Sequence, residues 1–215
     1  MIYHSTRDEK LTAAPTRAVL EGIAPDGGLY VCDPGKLDFD WQGTLQKDTM
    51  SMAADILGAL LPDFQDMNEL VRASYAGKFA SDDLTPLVPV GERYVLELYH
   101  GPTSAFKDVA LSVLPRLVSA AAKQEGAGDV VILTATSGDT GKAALEGFHD
   151  VPGTRIMVFY PAGGVSPVQE AQMVTQEGGN VRVCAIRGNF DDAQTGVKNV
   201  FAACKWKDLH GAVLS

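Results

Sequence analysis

From Tyr94 onward the chain alternates short apolar, β-branched runs with stretches of helical periodicity, and this alternation restricts the fold more than any other feature. DVVILTAT, RIMVFYP and NVRVCAIRG are compact runs bounded by polar or turn residues, the pattern of buried strands. Between them, Asp139 to Phe148 reads as a helix, and SPVQEAQMVTQEGG has a helix start at Ser166 and a glycine stop. FDDAQTGVKNVFAACKW follows as an amphipathic helix. Strands and helices alternating at this spacing predict an α/β fold with a parallel sheet and right-handed crossovers. Earlier in the same region YVLELYH reads as a strand, and a helix from about Ala105 to Lys123 tolerates Pro115 with a kink.

Up to about Leu87 the rhythm is different. PTRAVLEGI begins with a proline suited to a first helical turn, and APDGGLYV is a turn running into a short strand. TMSMAADILGALL places Met50, Ala53, Ala54, Leu57 and Leu60 or Leu61 on one side, and MNELVRASYAGKF repeats the pattern with Leu70, Val71, Ala73 and Tyr75. These stretches predict a small, mostly helical N-terminal unit. The proline-bearing LTPLVPVGERY resists helix and sheet alike, which puts a soft boundary between residues 1–90 and 91–215. At the far end HGAVLS begins a further strand. Ala212 to Ser215 read either as an edge strand or, the preferred expectation, as the point where a longer protein continues.

Composition removes several classes of function. A hydrophobic content of 46% is ample for a packed core. A formal net charge of −9 and the absence of any Lys/Arg run argue against nucleic acid as a partner. No apolar stretch approaches the ~20 residues that span a bilayer, and MIYHSTRDEK lacks the apolar core of a signal peptide, so no membrane partner and a cytoplasmic location are expected. Cys32, Cys184 and Cys204 have no CxxC spacing and read as reduced thiols. His4, His100, His149 and His210 form no ligand pair at helical spacing, so no metal is expected.

Two segments at strand ends carry candidate chemistry, the place where ligands gather in open parallel sheets. In HGPTSAFKD, Gly101 and Pro102 turn the chain, Thr103 and Ser104 are expected to cap the next helix, and Lys107 falls in its first turn. A helix N-terminus favours anions and disfavours an ammonium, which makes Lys107 a candidate amine nucleophile. A solvated surface lysine is the plainer alternative. In TATSGDTGKAA, a strand feeds through Ser137, Gly138, Asp139, Thr140 and Gly141 into a helix, and Thr136 stands just before. Successive N–H groups beside hydroxyls form a cradle for a carboxylate or phosphate, unless they are only an ordinary capped turn. A nucleotide-binding P-loop does not fit, because its first glycine would fall at Thr136 and its hydroxyl at Ala143. Lys142 is therefore expected to face solvent.

Taken together, HGPTSAFKD, TATSGDTGKAAL, APDGGLYV and VFYPAGGVSPVQEAQM closely resemble the threonine synthase family, over residues 6–215. The resemblance implies a parallel-sheet fold of the pyridoxal 5'-phosphate (PLP) fold type II class, present here in part. It implies that Lys107 is the lysine joined to PLP and that Thr136, Ser137, Gly138, Thr140 and Gly141 hold the substrate carboxylate. Asp139 is implied beside the PLP 3'-oxygen, where two anions must share a proton. The implied reaction converts O-phospho-L-homoserine and water to L-threonine and phosphate. Ser104 and Arg116 are open candidates for the substrate phosphate.

The family's glycine-rich loop for the PLP phosphate is not found; GAG at Gly126 to Gly128 precedes a strand and PAGG at Pro161 to Gly164 follows one. The chain alone is therefore expected to be inactive, to bind PLP weakly or not at all, and to self-associate through exposed apolar surface. The alternatives are a non-catalytic binding or assembly module that keeps the anion cradle, and another fold type II lyase.

Overall fold

The structure is a computed structural model, which describes residues 1–33, 35, 37, 39–203 and 213–214. Cys204, His210, Ala212 and Ser215 lie outside the described residues.

The expected parallel sheet is present. It contains β6 (Val130–Ala135), β7 (Thr154–Pro161), β8 (Val181–Ile186) and β9 (Val213–Leu214) in the order β8-β7-β6-β9. All pairings are parallel, with Ile132 opposite Ile156, Val158 opposite Val183, and Leu133 opposite Val213. Val213–Leu214 thus forms an edge strand of the described sheet.

Period-two alternation decides which side of the sheet is sealed. Val130, Ile132 and Thr134 of β6 are fully buried, as is Val158 of β7. Val130, Ile132 and Val158 share one cluster with Leu117, Val118 and Ala121 of α5 (Asp108–Gln124) and with Ala144, Leu145 and Phe148 of α6 (Asp139–Phe148). Burying each large aliphatic or aromatic side chain stabilises the fold by about 1.5–3 kcal/mol. The helices α7 (Pro167–Val174) and α8 (Phe190–Ala203) complete the alternation.

Pro115 sits inside α5 and the helix continues through it to Gln124. A proline has no N–H, so it cannot serve the carbonyl four residues earlier, that of Leu111. The structure uses that place for close helix contact. Gly147 of α6 lies against the Leu111 carbonyl so tightly that a Cβ there would stand 1.9 Å from the oxygen.

The N-terminal region holds more sheet than its sequence predicts. β1 (Tyr3–Ser5) pairs antiparallel with both β2 (Thr12–Ala13) and β3 (Tyr30–Val31). Such strands are too short to show alternation. The PDGG turn before β3 is locked by Ser5, whose Oγ donates to Asp26 at 2.8 Å and whose backbone neighbour Thr6 donates to the Leu29 carbonyl. Gly28 approaches so closely that a Cβ would meet Ser5 Oγ at 2.1 Å.

The helices α1 (Pro15–Glu21), α2 (Trp41–Thr44), α3 (Thr49–Leu60) and α4 (Met67–Tyr75) supply the expected helical part. Ala54 and Leu61 are buried, and Met50, Ala53, Leu57 and Leu60 pack against the core as their spacing predicts. In α4, Val71 and Tyr75 face inward, but Ala73 is exposed and Ser74 is buried instead. Ser74 is accommodated because its Oγ donates to the Leu70 carbonyl at 2.6 Å, returning the hydroxyl to its own helix.

LTPLVPVGERY is not irregular, contrary to expectation. It forms a hairpin of β4 (Leu87–Val90) and β5 (Arg93–Leu96), with Pro89 opposite Tyr94 and Gly91 turning at φ +62. In a two-stranded sheet both strands are edges, so the N–H that proline lacks is not missed. Only the YVL part of YVLELYH is in strand, and Leu87, Tyr94 and Leu96 are all more than half exposed.

Candidate active site at two strand-to-helix turns

The turn Gly101–Ser104 delivers the chain to Lys107, and it is built around a carboxylate rather than around hydroxyl caps. Asp108, 2% exposed, accepts hydrogen bonds from Thr103 N at 2.8 Å and from Thr103 Oγ1 at 2.6 Å. Thr103 and Ser104 therefore do not cap α5 as expected. The first-turn acid reaches back to the turn, in the place where the helix dipole favours negative charge. Gly101 has no room for a side chain, since a Cβ would lie 2.4 Å from Asp108 Cβ. Ser104 is exposed, with φ 58 in the left-handed region.

Lys107 is the N-cap residue of α5 and is half-buried. Its Nζ stands 5.7 Å from the centre of the Phe106 ring, and among the described residues no carboxylate pairs with it. The helix start behind it is braced. Tyr75 Oη donates to the Val109 carbonyl at 2.7 Å, and burial pushes the Tyr75 phenol up to about 12. On the approach, His100 Nε2 lies 2.7 Å from Glu97 Oε2, and that bond together with one from Tyr99 holds the Glu97 carboxyl below its usual range.

The second turn follows β6. Thr136 is 1% exposed, and its Oγ1 accepts from Gly138 N at 3.1 Å and from Gly141 N at 2.9 Å. The hydroxyl that was a candidate ligand contact is committed to the loop itself. It also explains Gly141, where a Cβ would stand 2.4 Å from Thr136 Cγ2. Ser137 and Asp139 are exposed and Thr140 is half-buried, so these polar side chains lie on the open side. Gly138 is the N-cap of α6 and has no side chain to cap it; with Gly138 N and Gly141 N held by Thr136, the N–H groups of Asp139 and Thr140 are left to a ligand or solvent.

Thr136, Gly138 and Gly141 are thus brought into one hydrogen-bonded loop with Ser137, Asp139 and Thr140 on its rim. Lys107 stands on the neighbouring helix, and among the described residues no hydrogen bond or ion pair joins it to that loop. Lys142 does not face solvent as expected: its side chain is 16% exposed, with Nζ 3.3 Å from Glu146 Oε2 and bonded to Gln176. Arg116 lies elsewhere, on a cavity of about 450 Å³ between α4 and α5 that Asp66, Glu69 and Lys123 also line. Among the described residues its buried Nε has no hydrogen-bond partner.

Two residues at these turns escaped sequence reasoning. Asp108 is readable only as an acid in a first helical turn, a common feature without a specific partner. Gln169 is hinted at by the SPVQ capping-box spacing, but its contact with Gly138 crosses between distant segments. Among the described residues no group of histidines, cysteines and acids can hold a metal, and no helix is long and apolar enough to cross a membrane. Among the described residues Cys32 and Cys184 are free, partly buried thiols.

Comparison with known proteins finds relatives over the whole chain. Residues 2–88 match the family model described as threonine synthase N terminus. The chain is 35% identical to threonine synthase of Saccharomyces cerevisiae over 237 residues, covering 100% of the chain and 46% of that protein. It is 39% identical to the Pseudomonas aeruginosa threonine synthase over 211 residues, covering 94% of the chain and 44% of the relative. Among solved structures it superposes on PLP-bound threonine synthase from Brucella melitensis with a TM-score of 0.90 and 37% identity, over 100% of this chain and 47% of that one. The yeast enzyme's structure gives a TM-score of 0.86 at 32% identity, over 100% of this chain and 46% of that one. The chain therefore spans less than half the length of the curated relatives it matches, and by the sequence identity and fold it shares with them it belongs to the threonine synthase family.

Proposed function

We propose that the chain forms the lysine-bearing half of a PLP-dependent lyase that converts O-phospho-L-homoserine and water to L-threonine and phosphate. The observation that carries this reading is the state of Lys107: an amine at a helix N-terminus, without a carboxylate partner among the described residues, held by the Asp108–Thr103 clasp. A structural lysine would be expected in an ion pair or fully solvated. An amine reserved for a carbonyl group must be free of both.

The residues present fit PLP at its aldehyde end. Lys107 would supply the amine, and Asp139, exposed at the first position of α6, would supply a carboxylate towards the phenolic oxygen. One proton shared between those two oxygens would remove their repulsion. When bound, PLP supplies an electron sink for negative charge developing on the substrate carbons.

The chain's own residues do the rest. The N–H groups of Asp139 and Thr140 at the start of α6, with the hydroxyls of Ser137 and Thr140, bind and orient the substrate carboxylate. Thr136, Gly138 and Gly141 shape that loop from within. Lys107 Nζ would carry protons to and from the substrate carbons. Asp108 keeps the lysine's turn in place throughout.

In the full-length protein, Lys107→Ala is expected to abolish formation of threonine from O-phospho-L-homoserine. Borohydride reduction followed by peptide mapping is expected to place the cofactor on Lys107. Turnover at the wild-type rate in the variant, or an adduct on another lysine, would overturn the assignment. Chain 1–215 by itself is expected to bind PLP weakly or not at all, and a stoichiometric absorbance band from the bound cofactor would contradict this.

A further inference from the structure

The carboxamide of Gln169 is engaged at one end and free at the other. Its Oε1 accepts from Ser166 N at 3.3 Å while its own backbone N–H donates to Ser166 Oγ at 3.2 Å, closing the capping box that starts α7. Only an oxygen can accept from that N–H, so the orientation of the amide is settled. Nε2 must then point the other way. The whole carboxamide lies against the glycine loop, Nε2 nearest: a Cβ built on Gly138 would meet Nε2 at 2.5 Å, Cδ at 2.8 Å and Oε1 at 2.9 Å. Among the described residues this Nε2 donates to no acceptor, and Gln169 is only half-buried.

Capping gives no reason for an amide here. Glutamate closes the same box as well as glutamine does, and at a helix N-terminus its charge is favourable. What distinguishes the two is the second end of the side chain. An amide presents N–H donors to whatever sits on the rim of the 137–141 loop, whereas a carboxylate presents negative charge. Gly138 has the complementary role, since any side chain there would displace the amide.

We infer that Gln169 belongs to the anion cradle, its Nε2 donating a hydrogen bond to a ligand carboxylate seated on the Ser137–Gly141 loop. This inference rests on the proposed reading that the loop holds a substrate carboxylate. It deepens that reading by naming a binding residue from α7, outside the loop's own segment. The cradle then has backbone donors from α6 on one side and a neutral side-chain donor from α7 on the other.

The test compares full-length wild type with Gln169→Glu and Gln169→Met by titration calorimetry, using L-threonine and L-threoninol, which lacks the carboxylate. Losing a hydrogen bond to a charged group and adding a like charge are expected to weaken L-threonine by about tenfold or more in Gln169→Glu. L-threoninol affinity is expected to stay within about twofold, and the melting temperature to be unchanged or raised because the capping box survives. Gln169→Met, which removes donor and box together, is expected to weaken L-threonine and lower the melting temperature. The inference is overturned if Gln169→Glu binds L-threonine as wild type does, if both ligands weaken equally, or if wild type does not bind L-threonine. Failure of wild type to turn over O-phospho-L-homoserine while L-threonine affinity still drops in Gln169→Glu would instead count against the proposed reaction alone.

Discussion

Gly147→Ala is the substitution that most directly separates local preference from tertiary packing. Helix propensity alone favours alanine over glycine by about 1 kcal/mol in a helix interior. Gly147 lies in α6, yet an added Cβ would stand 1.9 Å from the Leu111 carbonyl oxygen and 2.9 Å from its carbon. The oxygen belongs to helix backbone and cannot rotate aside. Ordinary contact begins near 3.4 Å, so α5 and α6 must part locally by about 1.5 Å, in an interior packed as densely as a crystal. Leu145, Phe148 and Val118, all fully buried, share the core that this opening disturbs. Overpacking of this kind costs about 1–3 kcal/mol. The upper end applies to a backbone clash, and after subtracting the propensity gain the expected net loss is about 2 kcal/mol. Urea unfolding followed by far-ultraviolet circular dichroism measures it, and the melting temperature is expected to fall by about 4–8 °C for a chain of this size. A variant as stable as wild type, or more stable, would refute the reasoning, because propensity would then outweigh the contact.

Further outcomes are expected. Asp108→Ala strands the N–H and hydroxyl of Thr103, and is expected to cost about 2–3 kcal/mol in urea unfolding; in the full-length protein kcat is expected to fall as the Lys107 turn loosens, and unchanged kcat would show that the clasp does not position the lysine. Thr136→Val keeps the shape but removes the acceptor for Gly138 N and Gly141 N, so hydrogen exchange at those amides is expected to accelerate and stability to drop by about 1–3 kcal/mol. Tyr75 is raised from 10.0 to about 12 when folded, so its contribution is complete below pH 10 and is lost as pH rises towards 12, amounting to about 2–3 kcal/mol. Tyr75→Phe is expected to flatten the fall in stability across that window, and an unchanged slope would show that another group controls it.

The strand–helix alternation after Tyr94 was legible because its runs are long enough to display their period. DVVILTAT and RIMVFYP became neighbouring strands, and the helix from Asp139 to Phe148 has the bounds its residues predict. Short strands were not legible. β1 and β2 exist because the chain around Ser5 is gathered onto the PDGG turn and onto Leu11 and Leu29, contacts with no local signature. The β4–β5 hairpin was hidden by Pro86 and Pro89, whose usual meaning as breakers lapses on an edge.

At the site, residue type and order pointed to Lys107 and to the loop Ser137–Gly141, because an amine nucleophile and a glycine-rich helix start are chemically distinctive in a sequence. Which groups face a ligand and which hold the scaffold was decided by tertiary structure. Thr136 turned inward to satisfy two amides, Lys142 turned to Gln176 and Glu146, and Asp108 reached back to Thr103. The physical reason is that a hydrogen-bonding group has no assigned role until its neighbours are placed: burial obliges it to find a partner, and which partner lies within 3 Å depends on segments far apart in the chain.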